Sequence, residues 1–383
     1  MKKIAPLFFL SALSVFAEPQ VSKVSFLAIG DVLMHSAIYE KCEINISECV
    51  FDRFFSAWKA DIDSADYACV NQETVFVPRG DKYSSYPTFG SPEEVGTAEL
   101  KAGFDIVTHA TNHTMDRRAK GVDYTLDFWK NKPIMVLGIH GTAEDQEQIR
   151  YDEKNGIKFA FLNFTYGLNA QKMPDDRQYM VDMLDAEGKW LKRIAEADQN
   201  AEVVVAFLHM GTEYTELPDK ESLARAEKAI DAGADILVCA HPHVIEPFGV
   251  FKTKKGNKGL VFWSLGNFIS NQFRLGTILG GVAKFEVQKT VDGDKSTIEV
   301  TKADMEGSIT YFDERGHSTI PLRDYTEQLH EKHGWKTTAK GFTFKSVNEL
   351  YKRIVKSNAK CNTLDVSKAL PIRVTQLKKG PKE

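Results

Sequence analysis

Short apolar runs, rich in β-branched and aromatic residues, recur between Val24 and Val287, and most of them stop abruptly at a polar group. They are Val24–Ile29, Tyr67–Val70, Asp105–Thr108, Ile134–Leu137, Lys158–Phe164, Val203–Leu208, Asp235–Cys239, Leu260–Trp263 and Val282–Val287. Runs this short and this continuously apolar read as strands buried on both faces. Helical spacing fills several of the gaps, for example Tyr124–Lys130, Ala186–Ala197 and Leu223–Ala232. Strands alternating with helices predict an α/β domain with largely parallel pairing. After about residue 290 the pattern weakens. A hairpin is predicted around Val291-Asp292-Gly293-Asp294 with Ile298–Val300 as its return strand, then surface helices over Asp324–His333 and Ser346–Ser357. The basic end, Leu377–Glu383, reads as frayed. The expected division is a leader at 1–17, a principal domain at 18–290 and an extension at 291–383, either an extra lobe or a wrap on the first domain.

The leader rests on its own pattern. Lys2 and Lys3 precede the apolar run Ile4–Phe16, and Val15-Phe16-Ala17 precedes Glu18-Pro19, as in a secretory signal peptide cut after Ala17. The run is short for a membrane span, and no later stretch is long enough for one. The mature chain is therefore expected in the periplasm or outside the cell, with no membrane span. Formal net charge is −4, with acids and bases interspersed, so no basic surface for nucleic acid is suggested. Five cysteines in an exported chain leave at least one unpaired. Cys42 and Cys49, close together in a polar segment, are expected to form a local disulfide. Cys69 and Cys239 lie inside apolar runs and read as buried free thiols, and Cys361 is isolated.

In α/β sheets the working residues collect just beyond the carboxyl ends of strands. Here those positions hold Asp31, Asn71-Gln72-Glu73, His109-Ala110-Thr111-Asn112-His113 with Asp116, His209-Met210-Gly211-Thr212-Glu213-Tyr214, His241-Pro242-His243, and Ser264-Leu265-Gly266-Asn267. Singly, each has an ordinary structural reading. Asp31 alone reads as a helix cap, and His35, His109 and His140 as hydrogen-bonded core residues. Phe207, Phe262 and Trp263 likewise read as core. The set reads differently. His-x-His in an extended segment stiffened by Pro242 puts two imidazoles near one point. Asn112-His113 sets a hard amide oxygen beside a potential general acid, and His209 comes from another strand end. Asp, Glu, Asn and three His converging from separate strands are what an oxygen-and-nitrogen site for a divalent cation requires.

The motifs Gly30-Asp31-Val32, Asn71-x-Glu73, Asn112-His113-x-x-Asp116, His209-x-Gly211-x-Glu213-Tyr214, His241-Pro242-His243-Val244 and Ser264-Leu265-Gly266-Asn267-Phe268, in that order, resemble the CapA family. That family is named for poly-γ-glutamate capsule biosynthesis and is similar to calcineurin-type metallophosphoesterases. The resemblance covers about Val24 to Val287. It implies a four-layer α/β/β/α sandwich with a small C-terminal appendage, and one or two divalent metal ions (Mn, Zn or Fe). Carried over by motif, it makes Asp31, Glu73, Asn112, His209, His241 and His243 the metal ligands. It makes His113 the group that protonates a leaving oxygen, with Asp116 orienting it, and it places Glu213, Tyr214, Ser264 and Asn267 around the substrate.

The sequence also departs from the pattern. Phosphoesterases begin with Asp-x-His, whereas residue 33 is Leu and His35 falls two positions late; Glu73 stands where a bridging Asp is usual. Within the CapA pattern, Thr111 replaces Asn, Met210 replaces Trp and Glu246 replaces Gln. The departures at Leu33 and Glu73 leave one metal position open to alteration, weakening or loss, and those within the CapA pattern bear on substrate fit. Two functions follow from the resemblance. One is a metal-dependent hydrolase or transferase acting on a phosphoester or γ-glutamyl amide. The other is a non-catalytic module that binds an anionic envelope polymer or assists its export. The sequence leaves the oligomeric state open.

Overall fold

A computed structural model describes residues 18–44, 50–355, 363–364 and 369–376. The leader, Cys49, Cys361 and the end from Leu377 lie outside the described residues, and the expected Cys42–Cys49 pairing with them. No described helix is long and apolar enough to cross a membrane.

Two sheets carry the chain. The first runs, in spatial order, Gly316–Pro321, Lys295–Asp313, Leu279–Asp292, Gln20–Val32, Tyr67–Gln72, Ile106–Thr108 and Met135–Leu137. Asn267–Ile269 adds beside the end of Gln20–Val32, and Leu370–Gln376 beside Lys295–Asp313. The second sheet runs Thr363–Leu364, Phe248–Lys252, Lys258–Phe262, Ile236–Ala240, Val203–His209, Ile157–Thr165 and Arg150–Lys154.

Parallel pairing links Gln20–Val32 through Met135–Leu137 in the first sheet and Ile157–Thr165 through Lys258–Phe262 in the second. The remaining pairings of the two sheets are antiparallel, apart from the short Asn267–Ile269 strand, so the expected parallel character belongs to the strands that carry the site. The antiparallel ribbon arises at the predicted hairpin: Asp292 faces Lys295 across a two-residue turn whose Gly293 has φ +57°, a left-handed conformation cheap only for Gly. The segment after residue 290 thus adds strands to the first sheet. Its helix Phe344–Val355 sinks Val347, Leu350 and Ile354 into the core between the sheets.

Side-chain alternation along each strand creates the layers. From Gln20–Val32, Val24, Phe26 and Ala28 enter the core between the sheets, while Leu27 and Ile29 face the outer helices. From Val203–His209, Val203, Val205 and Phe207 enter that same core; Val204, Ala206 and Leu208 pack outward against helices Lys189–Asn200 and Lys220–Asp231. The result is helix, sheet, sheet, helix: the four-layer sandwich expected from the resemblance. Phe26 stacks on Phe285 (4.5 Å between ring centres) and meets Phe159 edge-on (5.3 Å), joining the two sheets. Phe207, Phe262 and Trp263 are buried in these cores, and Cys69 and Cys239 are buried free thiols, as their apolar runs predicted.

Candidate metal centre

Parallel strands bring their carboxyl ends to one edge, and the register sets which residues meet there. Asp31 lies beside Asn71 on one side and Asn267 on the other; His209 lies between Thr165 and Ala240. Gly30 makes the closest approach possible. A Cβ on it would sit 2.0 Å from the Gly266 carbonyl oxygen, and the next residue's N–H donates to that oxygen at 2.9 Å. Only Gly lets the two segments touch and so fixes Asp31.

Six predicted ligands converge at this edge. Asp31, Glu73 and His243 present donor atoms within 4.8 Å of one another, and so do Glu73, His209 and His241. Glu73 belongs to both groups. Its oxygens lie 3.6 Å from His209 Nε2 and 3.9 Å from His243 Nδ1. Asn112 Oδ1 is 2.8 Å from His209 Nε2, joining the second group. Asp31 Oδ2 is 3.0 Å from His243 Nδ1, while its Oδ1 accepts the Asn71 amide N–H at 2.7 Å. The His-x-His segment is not extended as expected. His241 (φ +105°) and His243 (φ +59°) are both left-handed, and their rings lie 5.9 Å apart. Non-glycine residues held there are strained, a feature concentrated at functional sites.

All six candidate ligands are buried. Burial, followed by repulsion from Asp31, raises Glu73 well above the usual carboxyl range. Burial lowers His209 far below the imidazole range and His241 to about 3, with the neighbouring imidazoles adding to both. Burial alone would lower His243 as well, but Glu73 and Asp31 override it and push it up to about 9. Both Glu73 oxygens and the Nδ1 atoms of His209 and His241 are buried without a hydrogen-bond partner. Buried polar atoms are rarely left so. A buried carboxyl and imidazole nitrogens left without hydrogen-bond partners around one point are donors that a divalent cation takes, and the set fits one.

His113 stands beside this set. Its Nδ1 is 2.6 Å from Asp116 Oδ2, and Phe89 packs edge-on against its ring at 4.7 Å. The rim residues differ among themselves. Glu213 and Tyr214 are exposed. Asn267 is buried, donating to Gln272 Oε1 at 3.1 Å and the Thr277 carbonyl at 3.2 Å, with its own Oδ1 unpartnered. Ser264 is fully buried, its hydroxyl donating to the Val244 carbonyl and accepting the Gly266 N–H. That hydroxyl is used within the loop.

His109, which accepts from the Trp129 indole at 2.7 Å, and His140, paired with Asp182 at 2.9 Å, are core residues as expected. His35 is half-buried at the rim, its ring edge-on to Phe89 at 5.3 Å; burial lowers it to about 4. Thr111, in place of the common Asn, donates to the Glu73 carbonyl at 2.7 Å.

Three asparagines that support the site, Asn71, Asn163 and Asn169, were not among the predicted site residues. Asn163 spans the two sheets, accepting the Ala110 N–H at 2.7 Å and donating to the Phe207 carbonyl at 3.2 Å. Asn169 accepts from Asn112 Nδ2 at 3.3 Å. The signal for Asn163 was a polar residue inside an otherwise apolar strand.

Fold and site together define a four-layer α/β/β/α protein with two adjoining groups of buried residues of metal-ligand type at the strand ends. The chain belongs to the bacterial capsule synthesis protein family PGA_cap, whose pattern matches residues 25–272. It is 31% identical over 263 residues to the capsule biosynthesis protein CapA of Bacillus anthracis, covering 65% of this chain and 60% of that one. It is 27% identical over 289 residues to the PGA biosynthesis protein CapA of Bacillus subtilis (strain 168), covering 72% and 70%. Similar solved structures include the NAD nucleotidase NadN of Haemophilus influenzae, at 12% identity and TM-score 0.45, covering 87% of this chain and 60% of that one. Another is the sulfate thiohydrolase SoxB of Thermus thermophilus, at 12% identity and TM-score 0.42, covering 88% and 61%.

Proposed function

We propose that this protein is an exported, divalent-metal-dependent hydrolase or transferase of envelope-polymer metabolism, acting on a phosphoester or on a γ-glutamyl amide such as those of poly-γ-glutamate. The observation that carries this reading is Glu73. It is a fully buried carboxylate shared by two three-residue donor groups, and neither of its oxygens has a hydrogen-bond partner. Asp31, Glu73 and His243 would hold one cation; Glu73, Asn112, His209 and His241 would hold the other. The mixed oxygen and nitrogen donors suit Mn, Zn or Fe. A bound divalent cation polarises the scissile group and lowers the pKa of water beside it. His113 supplies a proton to the leaving atom, and Asp116 holds its ring in place. The names of the two Bacillus relatives support capsule polymer as the setting, and the leader pattern supports export.

The second reading is a polymer-binding module. Leu33 favours it, a buried apolar residue where phosphoesterases place a His. The test is metal content of the purified chain from Glu18 onward, beside a His241→Ala/His243→Ala double variant. Stoichiometric metal lost in the variant is the expected result. No bound metal after incubation with Mn, Zn or Fe overturns the hydrolase. Metal-loaded protein that binds polymer yet cleaves neither esters nor amides makes the module the better account.

A further inference from the structure

We propose that Arg274, stacked on Tyr214 at the rim of the metal centre, binds an anionic group of the substrate, a carboxylate or a phosphate, away from the bond that reacts. The proposal rests on the hydrolase reading and names what that site selects. The guanidinium carbon lies 4.7 Å from the centre of the Tyr214 ring, and that ring lies 6.1 Å from the His243 ring. Stacking holds a guanidinium flat and leaves its edge donors free for a bidentate anion. Among the described residues no carboxylate lies within ion-pair distance of Arg274, whereas Arg79, Arg177, Arg323 and Arg353 each have one.

The pair is built rather than loose. Tyr214 is left-handed (φ +65°) and its N–H donates to the Pro242 carbonyl at 2.8 Å, between the two candidate ligands of the His-x-His segment. Gln272 donates to the Tyr214 hydroxyl at 3.3 Å and accepts from Asn267, the register neighbour of Asp31. The loop carrying Arg274 is seated from outside. His317 Nε2 lies 3.1 Å from Asn271 Oδ1, and Trp335 packs against Phe273 at 6.2 Å. Arg353 pairs with Glu216 and so ties down the loop that bears Tyr214. Arg274 and these three seating residues all lie beyond the family match at 25–272. Among the described residues, three of the six exposed large apolar side chains, Tyr214, Leu217 and Phe273, lie on these two loops. These exposed apolar side chains share their two loops with a cation that has no ion-pair partner among the described residues, a surface suited to an amphipathic, negatively charged chain.

The experiment compares wild type, Arg274→Ala and Arg274→Lys, each metal-loaded and with metal content read in parallel. Calorimetry measures binding of a short γ-glutamyl oligomer with free α-carboxylates against its α-amide counterpart, and of a phosphodiester carrying a terminal phosphate against the matching alcohol. The expected result is a wild-type preference for one acid over its neutral partner, reduced about tenfold or more in Arg274→Ala, as loss of a charge-assisted contact implies, and partly restored by Lys. The pair that shows the effect identifies carboxylate or phosphate. An unchanged preference in Arg274→Ala, with full metal content, overturns this subsite and leaves the metal centre standing. Wild-type protein without metal overturns the hydrolase reading itself.

Discussion

His113 Nδ1 lies 2.6 Å from Asp116 Oδ2, and that same oxygen accepts the Phe89 N–H at 2.7 Å. The carboxylate is thereby held from two directions and fixes the imidazole against the site. If His113 donates a proton, His113→Ala lowers turnover by about 10²–10⁴-fold while metal content stays at wild-type stoichiometry. Asp116→Asn lowers turnover by less, again with metal retained. Loss of metal from His113→Ala would instead make His113 a ligand or a structural residue.

Glu73 is shared by the two donor groups, whereas His243 and His209 each belong to one. Glu73→Gln should therefore strip both positions, and His243→Ala or His209→Ala should each remove about one equivalent by elemental analysis. Equal losses from all three variants would argue for a single cation.

Gly30 tests the route by which Asp31 is placed. A methyl group there meets backbone, not a movable side chain, with the Gly266 oxygen at 2.0 Å. Gly30→Ala should lower the denaturation midpoint, with overpacking costing about 1–3 kcal/mol, and should weaken metal retention as well. A variant with wild-type stability and metal content would mean that the Gly30–Gly266 approach is looser than described.

Asp235 predicts a pH dependence away from the site. Burial pushes its carboxyl up to about 7, although its Oδ2 accepts the Val204 N–H at 2.8 Å. The folded state binds this proton more tightly than the unfolded chain. Stability from this group is thus full below about pH 4, the unfolded value, and is lost as pH rises towards 7. One proton limits the slope to about 1.4 kcal/mol per pH unit. Asp235→Asn should flatten urea-denaturation midpoints across that window; an unchanged pH profile would assign the dependence to other groups.

The candidate ligands were readable because each stands within four residues after an apolar run. Strand ends and side-chain chemistry are local properties, and the motif order carried the family. The supporting residues were not readable. Asn163 contacts Ala110 and Phe207 from 53 and 44 positions away, and Asn71 meets Asp31 across 40. Ser264 shows the converse: its motif placed it near the substrate, but its hydroxyl is engaged by the Val244 and Gly266 backbone.

By itself, the sequence determined which residues could be ligands, which runs would be buried, and that strands and helices would alternate, because periodicity and polarity are written along the chain. Only the tertiary structure decided that Glu73 serves two groups at once, that His241 and His243 turn left-handed, and that residues after 290 complete the first sheet and seat the loop of Arg274. Those outcomes depend on strand register and on the packing of two sheets, and no single segment encodes either.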